Sequence, residues 1–299
     1  MKHNKLTIVS VFGHNDGSAA IPSIVKSMQE LPGSKGLLLS PVKPQNLPTS
    51  VEWKKIGNLT YKQYSVFMMH SLYAFIETDY CLVVQEDSWV LNGKMLTKEF
   101  YQYDYVGPPT HCGFQFNKEN TLIEALYLKY QWIHYSNIEV VQNGGFSLRS
   151  KKFLEACNVH GITHTSPDPV KLTNINNIKE ELLWSHIWNE DVHLTGLIKH
   201  QLISHGYKFA PLEVATRFAI EYLDPILHTG INFDEIVGHH AKSRILLDNN
   251  RVMVPNNISQ MENSTELEKE LIHWMSTKKG YTITVDPNWA SEFNTVIPA

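Results

Sequence analysis

At 299 residues, with 42% hydrophobic, 19% charged and 11% aromatic residues, the chain can bury a substantial core and is too apolar for a disordered segment. Its formal net charge of −4 supplies no general basic field for nucleic acid or an anionic membrane, so either partner would need a local patch. Cys81, Cys112 and Cys157 are odd in number, widely spaced and form no CxxC pair, which reads as reduced thiols in a cytoplasmic protein.

The opening "MKHNKLTIVSVFGHNDG" breaks its apolar run at Gly13, without the long apolar region and small-residue cleavage site of a secretory signal. No run approaches the length of a membrane-spanning helix. In a cytoplasmic protein the sequons at Asn58, Asn257 and Asn263 are chance matches.

Three β-rich runs, "LTIVSVF" (6–12), "GLLLS" (36–40) and "YCLVV" (80–84), are separated by segments long enough for helices. That order predicts a parallel sheet covered on both faces. The first intervening segment spaces Ile21, Ile24, Val25, Met28 and Leu31 at near-helical intervals, with Pro22 tolerable in a first turn. The second places Tyr64, Phe67, Met68, Leu72 and Phe75 on one helix face.

Residues 104–109, "DYVGPP", read as a strand stopped by Gly107 and two prolines, followed by a Tyr-rich helical stretch. In "VVQNGGFSLRSKKFLEA" (140–156) two strands flank a Gly-Gly turn, and Ser150 stands where it would cap a helix carrying Phe153, Leu154 and Ala156. The polar, Pro-containing 160–180 segment reads as a loop. From Trp184 the pattern is helical, with Leu194, Leu197, Ile198 and Leu202 on one face and Gly206 as the stop. The last fifty residues hold a helix near 264–278 and a β-rich "YTITV". With no repeat or linker, the organisation expected is one domain over residues 1–250 and an extension, 251–299, packed on it.

Four places could carry chemistry. In an open α/β sheet ligands bind beyond the carboxyl ends of strands, where "VVQED" puts Gln85, Glu86 and Asp87. They read as solvated turn residues, or as an oxygen-rich site for a divalent cation. In "NGGF", Gly144 and Gly145 make a tight turn or let the backbone approach a ligand closely, and nearby Arg149 is an ordinary surface charge or part of the site. Asn189, Glu190 and Asp191 fit a helix start, where acids complement the dipole and also make a rigid platform for a general base. His239 and His240 follow a β-like "IV" and a glycine, where an imidazole could complete a metal shell. HExxH, GxSxG, P-loop and GxGxxG patterns are absent.

In order, "QEDSWVLNGKMLTKEFYQYDYVGPP", "VVQNGGFSLRSKKFLEA", "NEDVHLTGLIKHQLISHGYKFAPLEVATRFAIE" and "IVGHH" resemble the DUF5672 family of predicted glycosyltransferases in the GT-A superfamily, over roughly residues 58–242. The resemblance implies an α/β fold of the Rossmann-like α/β/α sandwich type with a mostly parallel central sheet. It also implies a nucleotide-sugar donor and Mn²⁺ or Mg²⁺ on the diphosphate. Gln85-Glu86-Asp87 matches the acidic metal motif, with Gln85 where many relatives carry Asp and Asp87 as the ligand. Gly144 and Gly145 match the loop near the donor sugar. Asp191 matches the base of inverting members, with Glu190 orienting hydroxyls. His240, or His239 one residue away, matches the late histidine of the metal shell.

The residue types suit that chemistry, since a cation neutralises the leaving diphosphate and a carboxylate takes the acceptor proton. The acceptor could be a glycan, a lipid-linked glycan, a protein or a modified nucleobase; the aromatic stretch 125–137 could stack a ring or simply be core. A nucleotidyltransferase would use similar metal chemistry, but "FGHNDGSAA" after the first strand lacks its basic residue. A catalytically inactive carbohydrate-binding protein of the same fold is the reading that Gln85 alone favours.

Overall fold

The computed structural model describes residues 3–120, 122–127, 138–164, 189–255 and 265–288. Strand Leu6–Val11 (β1) is buried along its whole length, as a strand covered on both faces must be. Helix Ile21–Glu30 (α1) follows, with Pro22 in its first turn, and leads to Lys35–Ser40 (β2) and Val51–Lys55 (β3). Helix Tyr61–His70 (α2) starts on a capping box: Thr60 Oγ1 accepts from Gln63 N, and Gln63 Oε1 accepts from Thr60 N at 2.8 Å. Strand Tyr80–Val84 (β4) ends at Gln85, and a short strand Ser88–Val90 (β5) then leaves the main sheet.

Tyr105–Val106 (β6), Pro109–Phe116 (β7), Leu122–Tyr127 (β8), Ile138–Gln142 (β9) and Phe146–Ser150 (β10) follow in chain order. Helix Lys151–Val159 (α3) begins where Ser150 Oγ accepts from Phe153 N at 3.0 Å, the cap its sequence predicts. The six-stranded central sheet runs β3-β2-β1-β4-β10-β6. Only β10 is antiparallel to its neighbours, so the expected α/β class with a mostly parallel central sheet holds. Its period of two sorts the side chains into two layers: Leu6, Ile8, Leu82 and Val84 pack with Ile24 of α1, and Val9, Val11, Cys81 and Val83 pack with Met68, Leu72 and Leu154.

Strand β6 stops before Gly107, as expected, although Pro109 already opens the separate strand β7. One expectation fails: the segment expected to be helical includes β8, in a sheet ordered β8-β7-β9. Pairing across β7 overrides the local spacing of leucines and tyrosines. The rest of that Tyr-rich stretch, and most of the 160–188 segment with Trp184, lie outside the described residues. Strand β3 had no sequence signal, since the charges in "VEWKK" are tolerated only because β3 is a sheet edge.

A second small sheet builds the site. Ala219–Ile220 (β11) and Gly238–His240 (β12) join β5 in the order β11-β12-β5. Ile245–Leu246 (β13), Arg251–Pro255 (β14) and Thr282–Asp286 (β15) form a third sheet beside helix Thr265–Lys279. Trp274, Met275 and Tyr281 pack in one cluster with Trp89, Leu91 and Ile220, and Trp89 Nε1 donates to Tyr281 Oη at 2.9 Å. Strand β14, helix Thr265–Lys279 and Tyr281 thus pack against the small sheet. Trp274 also donates to Asp234 Oδ1 at 3.0 Å, so Trp274→Ala should cost about 3–5 kcal/mol in urea unfolding. A loss below about 1 kcal/mol would show that this packing is dispensable.

Candidate active site

Strand pairing, rather than sequence proximity, brings the candidate residues together. In β12 and β5, His240 stands opposite Ser88 and His239 opposite Trp89. Ala241 N donates to Asp87 O at 3.1 Å, extending the pairing by one step and placing Asp87 next to His240. His240 Nε2 lies 3.4 Å from Asp87 Oδ1 and 3.1 Å from Gln85 Oε1. Gln85 Nε2 in turn donates to Tyr64 Oη at 3.2 Å, tying the corner to α2.

Asp87 and His240 are both buried, and Asp87 Oδ1 has no hydrogen-bond partner. A buried carboxylate oxygen beside an imidazole nitrogen suits a shared cation; the mixed Asp and His donors suit Mn²⁺ better than Mg²⁺, with further oxygens from a ligand. Among the described residues, no three His, Cys, Asp or Glu side chains form a ready-made shell. Burial lowers the pKa of His240, favouring the neutral ring a metal needs, while the Asp87 charge opposes that shift.

His239 points the other way. Its ring meets Trp89 edge-on, 4.0 Å between centroids, and its Nδ1 accepts from Arg244 Nε at 3.4 Å. Adjacent residues in a strand face opposite sides, so only one of the two histidines can reach Asp87, and the register selects His240. Glu86 is half-buried; its backbone oxygen accepts from Ser23 Oγ at 3.1 Å. Burial, and then the neighbouring Asp87 charge, raise the Glu86 pKa.

The Gly144-Gly145 turn lies between this corner and a second acidic pair. A Cβ on Gly145 would stand 2.4 Å from His240 Nε2 and 2.7 Å from Gln85 Oε1. On Gly144 it would stand 2.5 Å from Glu190 Oε1 and 3.2 Å from Asp191 Cβ. No other residue type lets the backbone pass so close to both groups. Gly144 N donates to Asp191 Oδ2 at 2.9 Å, Ser88 Oγ donates to Gly145 O at 2.8 Å, and Gly145 N donates to Asn143 Oδ1 at 2.5 Å.

Arg149, which the sequence left open as a surface charge, is fully buried beneath the turn. Its Nη2 donates to Glu190 Oε1 at 2.9 Å and to Gly144 O at 3.3 Å, and its Nε donates to Ser147 Oγ at 2.9 Å. Glu190 and Asp191 open a helical turn, as expected; Thr195 Oγ1 donates to Asp191 O at 2.7 Å and accepts from Gln142 N at 2.9 Å, fixing that turn to β9. A wider turn follows, in which Ile198 N donates to His193 O at 3.0 Å before helix Lys199–Ser204 resumes. Burial, and then the Glu190 charge, raise the Asp191 pKa to about 7, against the bonds from Gly144 N and Val192 N and the Arg149 charge.

Glu221 is the site residue the sequence reading passed over. It follows β11 directly, is buried, and accepts from Asn143 Nδ2 at 3.0 Å through Oε1. Burial, then the charges of Asp191 and Asp87, raise its pKa well above the ordinary range. The available signal was an acid ending the apolar run "FAI", the same pattern that drew attention to "VVQED".

Unfolded Asp191 ionises near the ordinary value, about 3.9, and the folded form holds its proton to about 7. Its contribution to stability is therefore fully present below the ordinary carboxylate range and is lost as pH rises through 7. Relative to wild type, Asp191→Asn should gain on the order of 2 kcal/mol between pH 5 and pH 8 in chemical denaturation. A pH-independent difference would contradict the raised pKa. Gly145→Ala, which must displace the His240 ring, should cost about 1–3 kcal/mol in the same assay. An unchanged midpoint would mean that the turn and the ring are not in contact.

The family model described as "Protein of unknown function (DUF5672)" matches residues 51–240. No curated protein matches the sequence. Among solved structures, the chain is similar to that of an active-site mutant of LgtC, at 13% identity and a TM-score of 0.41, over 89% of this chain and 95% of that one. A mannose-1-phosphate geranyltransferase from Thermus thermophilus is similar at 10% identity and a TM-score of 0.32, over 69% of this chain and 72% of that one. Matched across well over half its length, a span that includes residues 85–87, 144–145 and 189–191, the protein belongs to the DUF5672 family.

Proposed function

We propose that the protein is a GT-A-type glycosyltransferase that moves a sugar from a nucleotide-sugar donor to an acceptor hydroxyl, with inversion at the anomeric carbon. The observation that carries this reading is the placement of the Gly-Gly turn. One glycine abuts His240 and Gln85, and the other abuts Glu190 and Asp191. A sugar over that turn would have its diphosphate side toward Asp87 and its acceptor side toward Asp191.

The charge balance supports a cation. Asp87, Glu190, Asp191 and Glu221 are buried, and the buried Arg149 guanidinium pairs with Glu190. Uncompensated buried carboxylates are costly. A divalent ion, Mn²⁺ or Mg²⁺, would be held by Asp87 and His240 and would neutralise charge on the departing diphosphate.

The remaining work falls to the chain's own groups. The acceptor oxygen forms a bond to the anomeric carbon as the bond to the diphosphate oxygen breaks, and the hydroxyl proton passes to a carboxylate oxygen of Asp191. Both Asp191 oxygens accept backbone N–H bonds, at 2.9 Å from Gly144 and 2.7 Å from Val192. Each keeps a further lone pair for that proton. A pKa near 7 suits a base at neutral pH. Glu190, held by Arg149, orients hydroxyls rather than taking the proton. The backbone at Gly144 and Gly145 lets the ring lie close enough to fix the line of attack.

A thermal-shift screen of UDP-, GDP-, dTDP- and CMP-sugars, with and without Mn²⁺, should show one nucleotide class stabilising the protein in a Mn²⁺-dependent way. Asp191→Asn should keep that shift and lose about 10²–10⁴-fold in transfer or donor hydrolysis, measured by mass spectrometry on glycan, lipid-linked, protein and nucleobase acceptors. Asp87→Asn should lose the shift. Undiminished transfer by Asp191→Asn would remove the base, and full activity in excess EDTA would remove the metal.

A further inference from the structure

The register of the small sheet puts His240 between two carboxylates. Ile220 pairs with His239 and Ser88 pairs with His240, so Glu221 and Asp87 flank the His240 ring from opposite strands. Asp87 Oδ1 lies 3.4 Å from His240 Nε2, and Glu221 Oε1 lies 3.9 Å from His240 Nδ1. His240 Nδ1 and Glu221 Oε2 are both buried without a hydrogen-bond partner. Glu221 is 8% exposed, and its carboxylate is held by the Asn143 amide, whose own oxygen accepts from Gly145 N.

An imidazole can ligate only through a nitrogen that carries no proton, and the partner of the other nitrogen decides which one that is. We propose that Glu221 is a positioning residue that accepts the His240 Nδ1–H, so that the lone pair on Nε2 faces the Asp87 corner and a divalent ion there. The proposal rests on the reading of Asp87 and His240 as holders of that ion.

Closing the 3.9 Å gap by about 1 Å gives an ordinary hydrogen bond, and the one polar contact it displaces is that between His240 Nε2 and Gln85. Gln85 Oε1, now 3.1 Å from Nε2, would yield its place to the ion. The same carboxylate fixes the Asn143 amide, whose oxygen holds Gly145 N, so one residue sets both the ring and the turn beside it. The plainer role, in which Glu221 only tethers Asn143, predicts no effect on ion binding.

The test is a Mn²⁺ titration of the full chain, followed by electron paramagnetic resonance without any donor. Asp87→Asn and His240→Ala should abolish binding. Glu221→Gln should weaken it about 10–100-fold, and Glu221→Asp should recover part of the loss. In ¹⁵N-histidine-labelled wild type saturated with Mg²⁺, His240 should show a protonated Nδ1 and an unprotonated Nε2. If Asp87→Asn and His240→Ala lose Mn²⁺ while Glu221→Gln binds as wild type, the proposal is overturned and the ion site stands. Wild-type protein showing Nε2 protonated with the ion bound overturns it as well, even if Glu221→Gln fails to fold. If Asp87→Asn and His240→Ala bind Mn²⁺ as wild type, or wild type binds none, the ion site fails and takes the proposal with it.

Discussion

The site is organised around a guanidinium that never reaches water. Arg149 lies fully buried in β10, against the Tyr105 ring at 5.1 Å, and joins Glu190 to the carbonyl of Gly144. Removing one partner of such a pair typically costs about 3–5 kcal/mol, because the other charge is left buried and uncompensated. The consequence here is positional: β10, the glycine turn and the helix start carrying Asp191 cannot move independently. Glu190 is thereby paired with Arg149, while Asp191 accepts backbone N–H bonds from Gly144 and Val192.

The turn is then a hinge point in space rather than in motion. Gly144 serves the Arg149, Glu190 and Asp191 side, and Gly145 serves the His240 and Gln85 side. Asn143 and Ser88 hold the turn from the strand ends, by side-chain bonds to Gly145 N and Gly145 O. Behind it, the small sheet is backed by Trp89, which the segment after residue 250 covers through Tyr281 and Trp274. Packing behind the small sheet therefore sets the register that places Asp87 next to His240.

Much of this was legible in the sequence, for identifiable reasons. Strands β1, β2 and β4 are continuous apolar runs, Ser150 stands directly before a helical pattern, and the motifs around 85–87, 144–145 and 189–191 sit at the ends of such elements. What was hidden depends on pairing between distant segments. Strands β5, β11 and β12 are three, two and three residues long, too short for periodicity to register. Without their register, neither the placement of Glu221 beside His240 nor which of His239 and His240 faces Asp87 can be read. Arg149 looked like any charge in "SLRS", because its burial is decided by Glu190, forty-one positions away.

The most direct measurement is a crystal structure of the protein with Mn²⁺ and the nucleoside diphosphate selected by thermal shift. The account predicts an ion between Asp87 Oδ1 and His240 Nε2, the diphosphate on that ion, and an open space over Gly144 and Gly145 leading to Asp191. A nucleotide bound elsewhere, or an ion that leaves Asp87 and His240 unligated, would contradict it.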